Sequence, residues 1–212
     1  MRYLRARMPA PDPTRPRLVR FITHPEVAID PAVPVPDWPL SERGTERMTA
    51  MLSQPWVADV AAIWSSTERK ARDGAEILAR HLGLQPRVRE ALGENDRSAT
   101  GYLPPDEFQA VADEFFARPT ESVRGWERAV DAQARIVAAA DDVLASRADS
   151  AAGDVAIIAH GGVGALLLAH LLGAPISREH DQPGGGGGQC FAFEQASRAL
   201  VHGWRAIDEF VD

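Results

Sequence analysis

The chain has 212 residues, 45% of them hydrophobic and 25% charged, which suits one globular domain with a buried core. Its most apolar stretch, residues 163–172, falls far short of the roughly 20 residues a membrane-spanning helix needs. The single cysteine, Cys190, excludes an internal disulfide framework and a cysteine-built zinc site. A net charge of −7 argues against a general nucleic-acid binder, which needs a basic field. Of the 23 lysines and arginines only Lys70 is lysine, so arginine is the default cation of this chain.

Residues 1–16 carry Arg2, Arg5, Arg7 and Arg15 among prolines, with no apolar segment following. They read as a disordered basic tail rather than a secretory leader, with a cytoplasmic location as the default expectation. Leu18–Thr23 is a short apolar strand ending in Thr23-His24-Pro25-Glu26, where Pro25 denies His24 the helical region. After a proline-rich loop over 30–39, Ser41 is the N-cap of a helix spanning about 42–52. A second strand at 60–64 runs into Ser65 and Ser66, and a helix over 67–82 follows. Ala71, Ala75, Leu78, Ala79 and Leu82 recur there at helical spacing, and Gly83 lies just past its end.

A short strand near 87–89, an extended loop over 92–104 and helical patterns at 106–116 and 121–145 come next. Asp154–Ala159 is continuously apolar after its first residue, as a central parallel strand should be. His160-Gly161-Gly162 ends it, ahead of a buried helix at 163–172. A glycine run at 184–188 reads as a flexible loop or as a lining of the site mouth. Two closing strands are predicted at 191–193 and 199–204. This alternation predicts a three-layer α/β/α sandwich with a mainly parallel sheet over residues 17–212, and a helical insertion at about 93–150 covering the site.

Ligand sites in such sheets lie at the carboxyl ends of strands, and His24 and His160 are both predicted there. The glycines after His160 let backbone approach a ligand, and the helix behind them offers unpaired N–H groups to an anion. Histidine becomes a covalent nucleophile when one ring nitrogen is held by a neighbour and the other is free, and Glu26 is close enough in sequence to do the holding. Glu94, in the loop after the third strand, is either a solvated acid or a carboxyl over the same edge, able to act as a general acid. Lys70 is either part of a solvated helix face or a partner for an anion. The Gly161-Gly162-Val163-Gly164 string misses the dinucleotide-binding spacing.

In their order and spacing these pieces resemble the histidine phosphatase superfamily, the phosphoglycerate-mutase-like proteins, from about Leu18 to Trp204. Thr23-His24-Pro25-Glu26 matches the family's Arg-His-Gly-Glu, and Pro39-Leu40-Ser41-Glu42-Arg43-Gly44 its Pro-Leu-Thr-x-x-Gly. The segment from Ser65 to Ala75 matches Ser-Ser/Pro-x-x-Arg-Ala-x-x-Thr-Ala, Glu94 a Leu-x-Glu acid, and Ala159 to Val163 the late Ser-His-Gly-Gly-Val. The resemblance implies a phosphoglycerate mutase-like fold and a hydrolase of the histidine acid phosphatase type, acting on a small phosphorylated substrate through a phosphohistidine. His24 would be the nucleophile, Glu94 the general acid and then base, and His160 the stabiliser of charge on the transferring oxygens.

Thr23, Lys70, Arg97 and Gly161 would bind substrate. No cofactor, metal, nucleic acid or membrane is implied, and a homodimer is left open. The sequence departs from the family at Thr23 and Lys70, where the family has arginines, at Pro25 in place of glycine, and at Asp30 in place of asparagine. Arg97 and Arg20 are candidate replacement guanidiniums. The alternative to a phosphatase with an altered phosphate pocket is a non-catalytic phosphate- or phosphoester-binding module of the same fold.

Overall fold

A computed structural model describes residues 15–146 and 153–209 of the chain. It contains strands β1 (Leu18–Thr23), β2 (Val60–Ser65), β3 (Arg87–Val88), β4 (Asp154–Ala159), β5 (Gln189–Glu194) and β6 (Leu200–Ala206). The helices are α1 (Glu42–Met51), α2 (Arg69–Leu82), α3 (Pro105–Ala117), α4 (Ala129–Ala145) and α5 (Gly161–Leu171). All six strands form one sheet in the order β3-β2-β4-β1-β5-β6. β1, β2, β3 and β4 are mutually parallel, whereas β5 runs antiparallel to β1 and closes a hairpin with β6. Most of residues 1–16 lie outside the described residues; Arg15 is described and pairs with Asp59 and Asp154.

The period-2 alternation of a strand sorts the core into two layers. Phe21, Val155 and Ile157 face the cluster built on α3, α4 and α5, while Ile22, Ala156 and Ile158 face the cluster built on α1 and α2. Because β4 is covered on both faces, it tolerates no polar residue after Asp154, which explains its unbroken apolar run. Ser41 caps α1 by accepting from the Gly44 N–H at 3.0 Å. Gly83 ends α2 in the left-handed region, at φ 68°. Among the described residues no helix is long and apolar enough to cross a membrane.

The closing strands run over Gln189–Glu194 and Leu200–Ala206 rather than 191–193 and 199–204, and three helix starts also differ. The helix expected from residue 121 begins at Ala129, because Arg124 and Gly125 take positive φ and break the chain into a short 3-10 turn. The helix expected from 67 begins at Arg69, since Ser66 Oγ takes the Glu68 N–H and leaves Glu68 extended. α5 begins at Gly161, immediately after β4, so its open N-terminus adjoins His160.

The chain leaves β1 toward α1 on one face and leaves β4 through α5 on the other. β1 and β4 are adjacent and parallel, so their carboxyl ends form the crevice where ligands bind in such folds.

Candidate active site

Register brings the two histidines together. Thr23 pairs with Ala159, the last residues of β1 and β4, and the His24 N–H donates to the Ala159 carbonyl at 3.0 Å. The next residues along both strands are therefore side by side: the His24 and His160 rings meet edge to face with centroids 5.1 Å apart. The third neighbour, β2, ends beside β4, and its Ser66 N–H donates to the Ile158 carbonyl. Ser66 thus reaches the same rim, with its Oγ 2.8 Å from His160 Nε2.

The hydrogen bonds assign the ring protons. His24 Nδ1 lies 2.8 Å from the Pro25 carbonyl oxygen. A carbonyl only accepts, so Nδ1 carries the hydrogen and Nε2 keeps a bare lone pair. Burial, and then the neighbouring His160, push the His24 pKa down to about 3, so the ring is neutral at pH 7. His160 is fully buried, and burial lowers its pKa despite the opposing pull of Glu68 and Glu94. Its Nε2 lies 3.2 Å from Glu68 Oε1, and its Nδ1 has no partner among the described residues.

Glu68 ties the rim together. One oxygen takes the Glu94 N–H at 2.9 Å, and the other pairs with the Lys70 ammonium at 2.5 Å. Burial pushes this carboxyl up, but the charges of His160 and Lys70 and the Glu94 N–H outweigh it and hold the pKa down to about 2.

Glu94 closes the N-terminus of α5. Its oxygens accept from the Gly162 N–H at 3.1 Å and the Val163 N–H at 3.0 Å, and a third bond comes from the Asn95 N–H. Both α5 amides belong to its first turn and have no intrahelical acceptor, so Glu94 supplies the one they lack. Gly162 is required for this approach, because a Cβ would stand 2.7 Å from Glu94 Oε1.

The remaining candidates have separate duties. Thr23 is fully buried; its hydroxyl donates to Gln182 Oε1 at 2.6 Å and accepts from the Gln189 N–H at 2.9 Å. Lys70 belongs to no solvated face: it is buried and donates to the Val35 carbonyl as well as to Glu68. Arg97 stacks over Phe108 and Trp126 with its Nη2 3.9 Å from Glu94 Oε2. Arg20 is not at the rim, because it turns toward Asp154 at the other end of the sheet.

Glu26 does not orient His24. It pairs with Arg47, which also holds Asp208 and the carbonyls of Gly187 and Gly188. Asp30 is exposed and accepts from its own loop at the Ala32 N–H. The glycine run packs on the loop after β1, with the Gly188 N–H donating to the His24 carbonyl at 3.2 Å. A Cβ at Gly187 would meet that carbonyl oxygen at 2.1 Å.

Ser66, Glu68 and Gln182 were missed by the sequence reading. Ser66 had a signal, since it follows a strand end as the histidines do; Glu68 and Gln182 had none.

The sequence profile of the histidine phosphatase superfamily (branch 1) matches residues 29–185, well over half of the chain. The chain belongs to the histidine phosphatase superfamily. The match begins after His24, so the place of that ring in this superfamily member is read from β1 and its register with β4. Among solved structures, a mycobacterial glucosyl-3-phosphoglycerate phosphatase in complex with inorganic phosphate is 25% identical. The comparison covers 92% of this chain and 100% of that one, with a TM-score of 0.71.

Bacillus stearothermophilus YhfR is 21% identical over 92% of this chain and 98% of that one, with a TM-score of 0.72. TTHB049 from Thermus thermophilus is 19% identical over 89% and 99%, with a TM-score of 0.59. The last two likenesses are of fold. No curated protein sequence matches the chain significantly.

Proposed function

We propose that this superfamily member is a phosphomonoester hydrolase of the histidine acid phosphatase type that works through a phosphohistidine on His24. The observation that carries the reading is the pairing of a bare His24 Nε2, its Nδ1 proton held by the Pro25 carbonyl, with a second imidazole 5.1 Å away at the end of the adjacent strand. A ring held neutral at pH 7 is a ready nucleophile.

In the first step His24 Nε2 bonds to phosphorus, the ester P–O bond breaks, and Glu94 gives a proton to the leaving oxygen. In the second, Glu94, now a carboxylate, takes a proton from water. The water oxygen bonds to phosphorus, the P–N bond breaks, and inorganic phosphate leaves. His160 donates to the transferring oxygens, and the Glu68 carboxylate beside its Nε2 supports the cationic form of that ring. Phosphoryl transfer asks mainly for positioning and for donors around three equatorial oxygens.

One observation favours a second reading, a phosphate- or phosphoester-binding module without turnover. The ammonium of Lys70 is already committed to Glu68 and the Val35 carbonyl, and Thr23 carries no charge. A panel of phosphomonoesters, p-nitrophenyl phosphate first, separates the two. The phosphatase reading expects turnover that is abolished in His24→Ala, and an acid-labile phosphoryl group on wild-type His24. Phosphate binding with neither turnover nor label establishes the module instead.

A further inference from the structure

The donors that this rim can still offer to an anion are few. Lys70 gives two of its three hydrogens to Glu68 and Val35, Arg97 is held over two aromatic rings with its Nη2 3.9 Å from Glu94 Oε2, and the Gly162 and Val163 N–H groups are given to Glu94. Beside the two rings and the buried, unpartnered Asn95 Nδ2, one further side chain reaches both strand ends. Gln182, in the loop between α5 and β5, reaches from Thr23, the residue before His24, to Gly161, the residue after His160.

Its amide orientation follows from the bonds at Thr23. The Thr23 hydroxyl receives the Gln189 N–H, and its own hydrogen has two acceptors in reach, the Gln189 carbonyl at 3.3 Å and the Gln182 amide at 2.6 Å; the shorter is at the distance of an O–H···O bond rather than an N–H···O bond. The atom facing Thr23 is therefore Oε1. Nε2 then lies against Gly161, where a Cβ would come within 2.3 Å of it, so only glycine leaves room for the amide. Among the described residues Nε2 has no acceptor. Gly161 is the first residue of α5, and its own N–H has no intrahelical acceptor either.

We propose that Gln182, locked by Thr23, is a substrate-contacting residue whose Nε2 hydrogens, together with the Gly161 N–H, bind the oxygens of the phosphoryl group during transfer. The inference rests on the phosphatase reading for its substrate class. It assigns Thr23 a positioning role: the buried hydroxyl fixes which end of the amide faces the site. A neutral amide supplies directed donors without the fork of a guanidinium.

The test measures kcat and KM for p-nitrophenyl phosphate, and inorganic phosphate binding by calorimetry, in wild type, Gln182→Ala, Gly161→Ala, Thr23→Val and the Gln182→Ala/Thr23→Val double variant. Loss of one donor to a developing oxyanion costs on the order of 10²-fold in rate. Gln182→Ala is expected to lose about that in kcat/KM, mostly in kcat, and to weaken phosphate binding, with an unchanged melting temperature. Gly161→Ala is expected to lose a similar factor by displacing the amide. Thr23→Val is expected to reproduce most of the loss, and the double variant to be no worse than Gln182→Ala, because Thr23 acts through Gln182.

Gln182→Ala within twofold of wild type in both readouts overturns the inference while leaving the phosphatase reading intact. If wild type binds phosphate without turning over ester, weaker binding by Gln182→Ala keeps the donor role within a binding module, and equal binding refutes it. Wild type that neither hydrolyses nor binds phosphate ends both readings.

Discussion

Acidifying the free protein from pH 7 toward pH 4 forces a proton onto His24, and the fold opposes it. The ring is only partly exposed, its Nδ1 already donates to Pro25, and a second imidazole stands 5.1 Å away. Moving a histidine from its ordinary pKa of 6.5 to about 3 corresponds to at most about 5 kcal/mol of preference for the neutral form. Solvent contact at the rim screens part of this, so a contribution of about 1–3 kcal/mol is expected.

The sign follows from linkage: between pH 6.5 and 3 the unfolded chain binds the proton and the folded one does not, so stability rises with pH across that window. This contribution is complete above pH 6.5 and lost progressively on the way down to 3. Two assays read it. Urea unfolding of wild type and His24→Asn at pH 7, 5.5 and 4.5 gives the difference directly, and wild type should lose more stability than the variant as pH falls. Titration of the His24 ring followed by NMR gives the pKa itself, and kcat/KM should show no acid limb near 6.5 from this group. A His24 ring that titrates at 6 to 7 in the phosphate-free protein refutes the argument, because the burial and ring pairing invoked here then cost nothing.

At the opposite end of the sheet, fully buried Asp154 accepts from the Leu18 N–H and from Arg15, with Arg20 Nε at 3.4 Å. Asp154→Ala strands the buried guanidinium of Arg20, which costs about 3–5 kcal/mol, or a melting temperature lower by roughly 10 °C for a chain of this size. Arg20→Met in the same chain should recover part of that loss, and activity per folded molecule should not change. Glu68→Gln leaves the buried Lys70 ammonium without its anion and should destabilise by about 2–3 kcal/mol at pH 7. Since the Glu68 pKa is lowered to about 2, that difference should be full above pH 4.5 and shrink as pH falls toward 2, in denaturant titrations of both proteins. Gly162→Ala brings a methyl 2.7 Å from Glu94 Oε1 and pushes a flexible carboxylate off the α5 amides. Melting should change by no more than a few degrees while turnover falls at least tenfold, and unchanged turnover would remove Glu94 from the reaction.

What depends on near neighbours along the chain was legible in the sequence. Short apolar runs mark β1 and β4, Ser41 and Gly83 mark helix ends, and the proline and glycines after His24 and His160 stop both strands where they stop in the structure. Such signals are local because strand period, capping and steric restriction act over a few residues. The two rings meet only because β4 inserts between β1 and β2 in parallel register, pairing positions more than a hundred residues apart. No periodicity encodes that order.

The same holds for side chains whose partners are distant. Lys70 read as a surface charge or a free anion partner, yet it is buried, with its ammonium bonded to Glu68 and to the Val35 carbonyl. Glu26, two residues from His24, faces Arg47 instead. Gln182, 159 positions from Thr23, reaches it because the loop after α5 folds back over the rim. A hydrogen bond is decided by which donors and acceptors burial leaves together, and burial is a property of the packed sheet rather than of any one segment.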